Sequence, residues 1–286
     1  MYVTHKSAGR LNYPIGKLLA TRKVKIASII LVLGVSLIGI GIFEIKAHAV
    51  IPCFLVVPHD QKFGAAITAA VIATSAGVTG SVNAEGVCDV GVYVGTSASG
   101  ATITATVTDA TQVGVFNDGG TGITVSGTVS CTGNHSDLAL SACQNFSPNG
   151  VQTGIGVYFS CTGTGKISGS TINQYQKGGI VVRDLDNVYV TSNNVEGLGP
   201  FELIAQNGIE LGFSSTCGPT LSTSNVGQVT GNTVTGNIYT QGAEKGVIST
   251  GILGETPTRP VGPLVSALET SNSISQNQGD VIVIVG

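Results

Sequence analysis

The sequence predicts an all-β protein, a parallel β-solenoid in which short strands stack in register. Glycine supplies 41 of the 286 residues, charged residues make up 10%, and Trp is absent. A chain rich in glycine and β-branched residues favours strands and turns over helices. The chain also repeats itself, with 22 residues from Val107 to Val129 and 23 from Ile172 to Val195. A period of about 22 residues suits a solenoid with two strands per turn.

The first element of the repeat is an eight-residue segment that occurs four times. The copies are ISGSTINQ (167–174), VTSNNVEG (190–197), VTGNTVTG (229–236) and ETSNSISQ (269–276). They place Asn193, Asn232 and Asn272 at one position, with Ser170 as the equivalent in the first copy. Stacked copies would bring these amides together at one bend of each turn, so the sequence predicts a structural asparagine ladder. A row of sugar-binding amides is the alternative interpretation.

The second element is a glycine followed by alternating apolar residues. Its copies begin at Gly91, Gly114, Gly156, Gly179, Gly208 and Gly246. Side chains alternate between the two faces of a strand, so Ile180 and Val182 are predicted to point into the core and Val181 outwards. Equivalent strands of successive turns would pair about 4.8 Å apart. This region, residues 78–286, is the predicted parallel β-helix.

The two ends of a solenoid need to be covered. The segment 61–77, within a predicted linker region of residues 50–77, has apolar residues at helical spacing and is predicted to form a short N-terminal capping helix. Its apolar face contains Phe63, Ile67, Ala70 and Val71. The other end, Asp280 to Gly286, has the alternation of a strand and no obvious cap. An oligomer formed through this C-terminal end is therefore one prediction.

Residues 1–49 have the pattern of a signal peptide or an N-terminal membrane anchor. Lys23 and Lys25 precede an apolar run from Ile26 to Phe43, and the triplet Ala47–Ala49 follows. A basic flank, an apolar segment and a small-x-small triplet predict cleavage after Ala49. If the apolar helix is not cleaved, it is long enough to make the membrane a partner. Both interpretations predict export, to the extracellular space or the cell surface.

Six cysteines follow the apolar run, and they are predicted to form disulfides. They are Cys53, Cys88, Cys131, Cys143, Cys161 and Cys217. An even number of cysteines in an exported chain is typical of a disulfide framework. The sequence leaves the pairing open, and Cys131 with Cys143 is the favoured pair because it closes one polar loop. No C-x-x-C pair occurs, so no zinc site is predicted. The net charge of -3 argues against a nucleic-acid partner.

The two-element repeat resembles the right-handed parallel β-helix superfamily that includes pectate lyases, polygalacturonases and alginate epimerases. Thr171–Val182 and Val195–Gly212 are similar to segments of exported bacterial β-helix repeat proteins. The resemblance covers roughly Val78 to Gly286 and implies a right-handed parallel β-helix. It carries no catalytic residue over to this chain by position.

One charged patch lies within the repeats, RDLD at 183–186. Lyases and epimerases of the β-helix superfamily use a basic residue beside an acidic or calcium-bound cluster. Arg183, Asp184 and Asp186 are therefore the catalytic candidates, with calcium as the cofactor that the aspartates would bind. Glu210, one repeat away, and Tyr158 are the ligand-binding candidates. The alternative interpretation is a solvated turn whose charges keep the solenoid soluble.

These observations favour an exported cell-surface β-helix protein with a structural or carbohydrate-binding role, polysaccharide as its partner and no assignable catalysis. One alternative is a polysaccharide lyase, glycoside hydrolase or epimerase that acts on acidic glycans. Another is an adhesin or a subunit of a surface assembly. Ser, Thr and Asn outnumber charged residues in the repeats, and this favours the non-enzymatic interpretation.

Overall fold

A computed structural model describes residues 52–60, 63–133, 153–202, 204–212, 221–240, 247–257 and 259–286. The chain divides into two units, and all of these residues belong to the second, His48–Gly286. Within these ranges no helix is long and apolar enough to cross a membrane. The predicted leader, residues 1–49, lies outside them.

Strands make up most of the described residues, which confirms the all-β prediction. In chain order they are β1 (Phe54–Val56), β2 (Ile67–Ile72), β3 (Val78–Asn83), β4 (Val90–Val94), β5 (Thr102–Thr108), β6 (Val113–Asn117), β7 (Ile123–Thr132), β8 (Ile155–Phe159), β9 (Gly165–Tyr175), β10 (Gly178–Val182), β11 (Val188–Thr191), β12 (Asn194–Phe201), β13 (Asn207–Leu211), β14 (Val229–Thr230), β15 (Thr233–Tyr239), β16 (Thr250–Thr256), β17 (Ser273–Ser275) and β18 (Gly279–Val285). The described residues also contain a helix, α1 (Gly262–Ser271), and a 3-10 helix (Val226–Gln228).

The strands form two sheets. The first has the order β1-β2-β4-β6-β8-β10-β13-β16-β18, and the second runs β17-β15-β12-β9-β7-β5-β3, with β11 pairing β9 and β14. Apart from the antiparallel pair β1–β2, the strand pairs of the described residues are parallel. The backbone passes from one sheet to the other and back, and each return adds a strand beside its counterpart from the previous repeat.

The main core contains the alternate side chains of both sheets. In the first sheet, Ile180 lies opposite Val157 of β8 and Ile209 of β13, and all three are buried in this core. In the second sheet, Val195 lies opposite Ile172, and both are buried. Burial of such aliphatic side chains contributes about 1.5–3 kcal/mol each. The prediction that Ile180 and Val182 point into the core is confirmed.

Glycines recur at the start of the first-sheet strands because the two sheets approach closely there. A Cβ at Gly208 would lie 2.6 Å from the carbonyl oxygen of Gly251 and against the side chain of Val234. The register pairs Asn207 with Thr250 and Ile209 with Ile252, so Gly208 lies opposite Gly251. The glycine equivalent to Gly208 is therefore Gly251, whereas Gly246, the predicted member of this row, lies outside the described residues.

The outer face of the first sheet is also apolar, and the N-terminal segment covers it. A second apolar cluster contains Val56 and Phe63 of this segment together with Tyr93, Phe116, Tyr158 and Val181 of the sheet. Phe63 makes edge-to-face contacts with Phe116, at 5.4 Å between centroids, and with Tyr158, at 5.2 Å. Such aromatic pairs add about 0.5–1.5 kcal/mol beyond burial. Val181 points away from the main core, as predicted, but is only 1% exposed.

The predicted N-terminal capping helix at 61–77 was wrong, because its central residues form strand β2. Ala69 pairs with Phe54 of β1 and with Val90 of β4. Apolar residues three and four apart in a short segment also fit a strand that is buried on both faces, so spacing alone does not separate the two structures. Pairing on both edges satisfies the backbone groups of β2 and decides the outcome.

Cys53 and Cys88 form a disulfide that ties the N-terminal segment to the turn before β4. Cys131 is disulfide-bonded, and so is Cys161, each to a partner other than Cys53 and Cys88. None of the cysteines in the described residues is free. Cys143, the predicted partner of Cys131, lies outside those residues, as does Cys217.

Candidate functional site

Arg183, the first residue of the charged patch, is buried against the outer face of the first sheet. It follows β10, and the register of that strand sets Val181 opposite Tyr158 and Glu210. Arg183 is 7% exposed. Its Nη1 donates to Glu210 Oε1 at 3.2 Å and its Nε donates to the Tyr158 hydroxyl oxygen at 3.2 Å. The interpretation of the patch as a solvated turn was therefore wrong for Arg183.

Glu210 and Tyr158 extend this contact into a buried polar network. Glu210 is 8% exposed, and its Oε2 accepts a hydrogen bond from Asn207 Nδ2 at 3.3 Å. The Tyr158 hydroxyl donates to the Asp60 carboxylate of the N-terminal segment. Burial is the main cause that raises the pKa of Tyr158 above its usual value. Desolvation opposes the charge of Arg183, but Tyr158 and Glu210 together hold the pKa of Arg183 above its usual value.

The two aspartates of the patch have different partners: Asp184 bonds within its own turn, and Asp186 bonds to a segment further along the chain. Asp184 Oδ1 accepts the backbone N–H of Asp186 at 2.9 Å, and Asn225 Nδ2 donates to Asp186 Oδ1 at 3.4 Å. Leu185 between them is buried. Across the described ranges, no group of three or more His, Cys, Asp or Glu side chains is placed to hold a metal ion. The geometry of the patch therefore gives the calcium hypothesis no support.

The three asparagines of the repeat lie one above another. Asn193 Nδ2 donates to Asn232 Oδ1 at 2.9 Å, and Asn232 Nδ2 donates to Asn272 Oδ1 at 2.8 Å. Asn193 Oδ1 accepts the backbone N–H of Ser170 at 3.0 Å. Each amide also donates to a backbone carbonyl of the preceding repeat, as Asn232 does to Val190 at 2.9 Å. Asn193 and Asn232 are buried, so their amides are structural and are not available to a ligand.

A second ladder, which the sequence analysis did not identify, lies five residues further along the repeat. Asn237 Nδ2 donates to Asn277 Oδ1 at 2.8 Å, and the Tyr175 hydroxyl donates to Asn237 Oδ1 at 2.7 Å. The signal was present in the sequence, because Asn237 follows Asn232 by the same interval that separates Asn277 from Asn272. The asparagine amides therefore bond to buried backbone groups at two bends in each of these repeats.

The outward side chains of the second sheet form rows of hydroxyl and amide groups. One row crosses β3, β5, β7, β9, β12, β15 and β17 at a single register position. Its members are Ser81, Thr106, Thr128, Thr171, Asn194, Thr233 and Ser273. Because adjacent strands lie about 4.8 Å apart, the row repeats its polar groups at that interval. We refer to this row and its neighbours as the hydroxyl face.

Neighbouring rows continue the same chemistry. On one side, the register aligns Ser130, Asn173, Glu196, Thr235 and Ser275. On the other side, Thr104 Oγ1 lies 3.1 Å from Ser126 Oγ, and Thr191 Oγ1 donates to Ser168 Oγ at 3.2 Å. Each hydroxyl can donate one hydrogen bond and accept others. The threonine side chains are stiff because they are β-branched. The face is thus a preorganised grid of hydrogen-bonding groups.

Few charged or aromatic side chains interrupt this grid. Lys166 pairs in register with Thr124 and with Tyr189, and both Lys166 and Tyr189 are exposed. Glu196 is the acidic member of the rows described above. With one cation and one anion among these positions, the hydroxyl face has no strong preference for a charged ligand.

Comparison of the chain with models of protein families, with curated proteins and with solved structures found no match. The chemistry of the described residues therefore carries the functional argument. Of the residues that the sequence singled out, Arg183, Glu210 and Tyr158 meet in one buried network. Asp184 and Asp186 have their own hydrogen-bond partners, and the asparagines form the ladder.

Proposed function

We propose that this chain is an exported right-handed parallel β-helix protein that binds a neutral polysaccharide at the cell surface through its hydroxyl face. The observation that carries the proposal is the row from Ser81 to Ser273, which offers one polar side chain per strand across the sheet. An extended glycan presents its own hydroxyls at regular intervals. Such a ligand can form many weak hydrogen bonds along a flat, rigid surface.

The topology supports the β-helix part of the proposal. Two parallel sheets receive strands in alternation, and parallel strands need crossover connections, which are right-handed in about 98% of cases. The disulfide Cys53–Cys88 is compatible with an oxidising compartment and so with export.

The charge pattern favours a neutral glycan over an acidic one. A uronate-binding surface needs cations that can reach the carboxylates. Arg183 is paired with Glu210 in a buried contact, and Lys166 is the cation among the face positions. A lyase or epimerase at the RDLD patch would first have to uncover Arg183 and separate it from Glu210. We therefore prefer binding to catalysis.

A pull-down with insoluble polysaccharides tests this function. The full chain, dispersed in mild detergent, is mixed with cellulose, chitin and mannan as neutral ligands. Calcium-crosslinked pectate and alginate serve as acidic ligands. The test variant carries Thr104→Val, Thr106→Val and Thr128→Val, which remove hydroxyls from the face and keep β-branched side chains. The control carries Thr74→Val, Thr96→Val and Thr162→Val at exposed turn positions.

We expect the wild type and the control to bind at least one neutral polysaccharide. The face variant should bind it about tenfold more weakly, which corresponds to about 1.4 kcal/mol shared among the lost hydrogen bonds. Binding to acidic polysaccharides alone, or equal binding by the face variant and the control, contradicts the proposal. Failure of the wild type to bind any of the five also contradicts it.

A further inference from the structure

Strand β18 is the last strand of the first sheet, and one of its edges is open. It pairs with β16 along its length, from Gly279 opposite Thr250 to Val285 opposite Thr256. On its other side, no strand of the described residues pairs with it. The N–H of Gly279 donates to the Ser249 carbonyl at 3.0 Å. Backbone groups alternate along a strand, so those of Ile282 and Ile284 point towards the open edge.

The burial of β18 differs from that of equivalent strands inside the sheet. All five residues of β8, β10 and β13, which have a strand on each side, are buried. In β18, by contrast, Ile284 is 43% exposed and Val285 is 40% exposed. Val281 and Val283 pack on the main core but remain partly accessible. A further strand beside β18 would cover the open side of these side chains and reduce their exposure.

The exposed apolar side chains of the described residues concentrate near the ends of the first sheet. At the C-terminal end they are Val247, Ile248, Ile284 and Val285. Helix α1 covers part of this end, because its Leu264 and Leu268 are buried in the main core. It leaves the open edge of β18 without a partner strand.

The open edge also lacks the features that prevent edge-to-edge pairing. Proteins protect such edges with charges, prolines, bulges or very short strands. Strand β18 has seven residues, GDVIVIV, with Asp280 near its start and no other charge. Its pairing with β16 has no register shift. A long, regular and apolar edge of this kind accepts another strand readily.

We propose that β18 pairs with β18 of a second copy of this chain, antiparallel and about a two-fold axis, to join two molecules end to end. A second copy of β18 has the same length and the same alternation of apolar residues, so the two edges can pair along their whole length. Antiparallel pairing sets the two Asp280 residues at opposite ends of the pair, whereas parallel pairing would place these like charges side by side. A two-fold contact closes on itself and gives a dimer, not a filament.

Sedimentation equilibrium of the full chain in mild detergent, across a range of concentrations, tests this interface. Ile284→Pro removes an N–H that points to the open edge, and β16 does not use that group. Ile284→Lys leaves the backbone intact and protects the edge by charge. Val87→Lys makes the same charge change at an exposed apolar residue, 40% exposed, in the turn before β4. Circular dichroism and the melting temperature report whether each variant folds.

The wild type and Val87→Lys should both be dimers. Ile284→Pro and Ile284→Lys should raise the dimer dissociation constant by about tenfold or more, with the β-type spectrum unchanged. If one Ile284 variant fails to fold, the other decides the outcome. A monomeric wild type contradicts the proposal, as do dimers that neither Ile284 variant weakens. Species that grow beyond the dimer with concentration contradict the two-fold geometry. These outcomes are independent of glycan binding, which the hydroxyl face would mediate.

Discussion

Single side chains hold the repeats in register, and the asparagine ladder is the clearest case. The residue before Ser170, Asn193 and Asn232 has a positive φ, 66° at Gly169, 57° at Ser192 and 69° at Gly231. The left-handed conformation costs a residue other than glycine about 1–2 kcal/mol. The ladder offsets such costs because each amide bonds two neighbouring repeats at once.

Asn232→Ala should lower the free energy of unfolding by about 3 kcal/mol, because it leaves buried backbone and amide groups of two repeats without partners. Asn232 is fully buried and takes part in the bonds to Asn193, Asn272 and Val190. Asn194→Ala, at an exposed neighbouring position, should change stability by less than about 0.5 kcal/mol. Urea denaturation of both variants measures the difference, and equal effects would show that the ladder is not structural.

Arg183→Ser should also destabilise the fold, by about 3–5 kcal/mol, since it leaves the Glu210 carboxylate buried without its cation. Asp184→Ser changes a half-buried aspartate of the same turn and should cost about 1 kcal/mol or less. Thermal unfolding followed by circular dichroism compares the two variants. A melting temperature of Arg183→Ser equal to that of the wild type would show that the contact with Glu210 is not formed.

Among the strands and segments, the repeats were predictable and the ends were not. Alternation and the recurring glycines locate strands such as β10 and β13, because every interior strand meets the same neighbours. Helix α1 was missed because the asparagine repeat at 269–276 overlaps its last residues. The helical signal was present, since Leu264 and Leu268 are four residues apart and follow Pro263. The network around Arg183 reaches the N-terminal segment through Tyr158, which contacts Asp60 and Phe63. No local pattern reveals a contact between segments about 100 residues apart.

The N-terminal segment makes the outer face of the first sheet a second core. Val181→Asp should therefore unfold the protein as thoroughly as Val182→Asp, because each places an unpaired carboxylate in an apolar site at a cost of several kcal/mol. From the alternation alone, Val181→Asp would be tolerated. Tyr189→Asp, at a side chain that is 49% exposed, is the control. If Val181→Asp retained the β-type spectrum while Val182→Asp lost it, the N-terminal segment would not cover this face.

In the molecule as a whole, one repeat serves both stability and the proposed binding. The inward side chains form the core, the bends form the ladders, and the outward side chains of the second sheet form the hydroxyl face. Regular stacking is the requirement common to all three, since a ladder or a row of hydroxyls exists only where equivalent residues lie in line.

Distances between spin labels along the longest row test this stacking most directly. Labels at Ser81→Cys and Ser273→Cys are six strands apart and should lie about 29 Å from each other, whereas labels at Thr106→Cys and Thr233→Cys, four strands apart, should lie about 19 Å from each other. Pulsed electron paramagnetic resonance of the full chain gives both distances. Two narrow distributions in the ratio of six to four are the predicted result. Distances that do not scale with the number of strands between the labels would contradict the parallel stack and the hydroxyl face built on it.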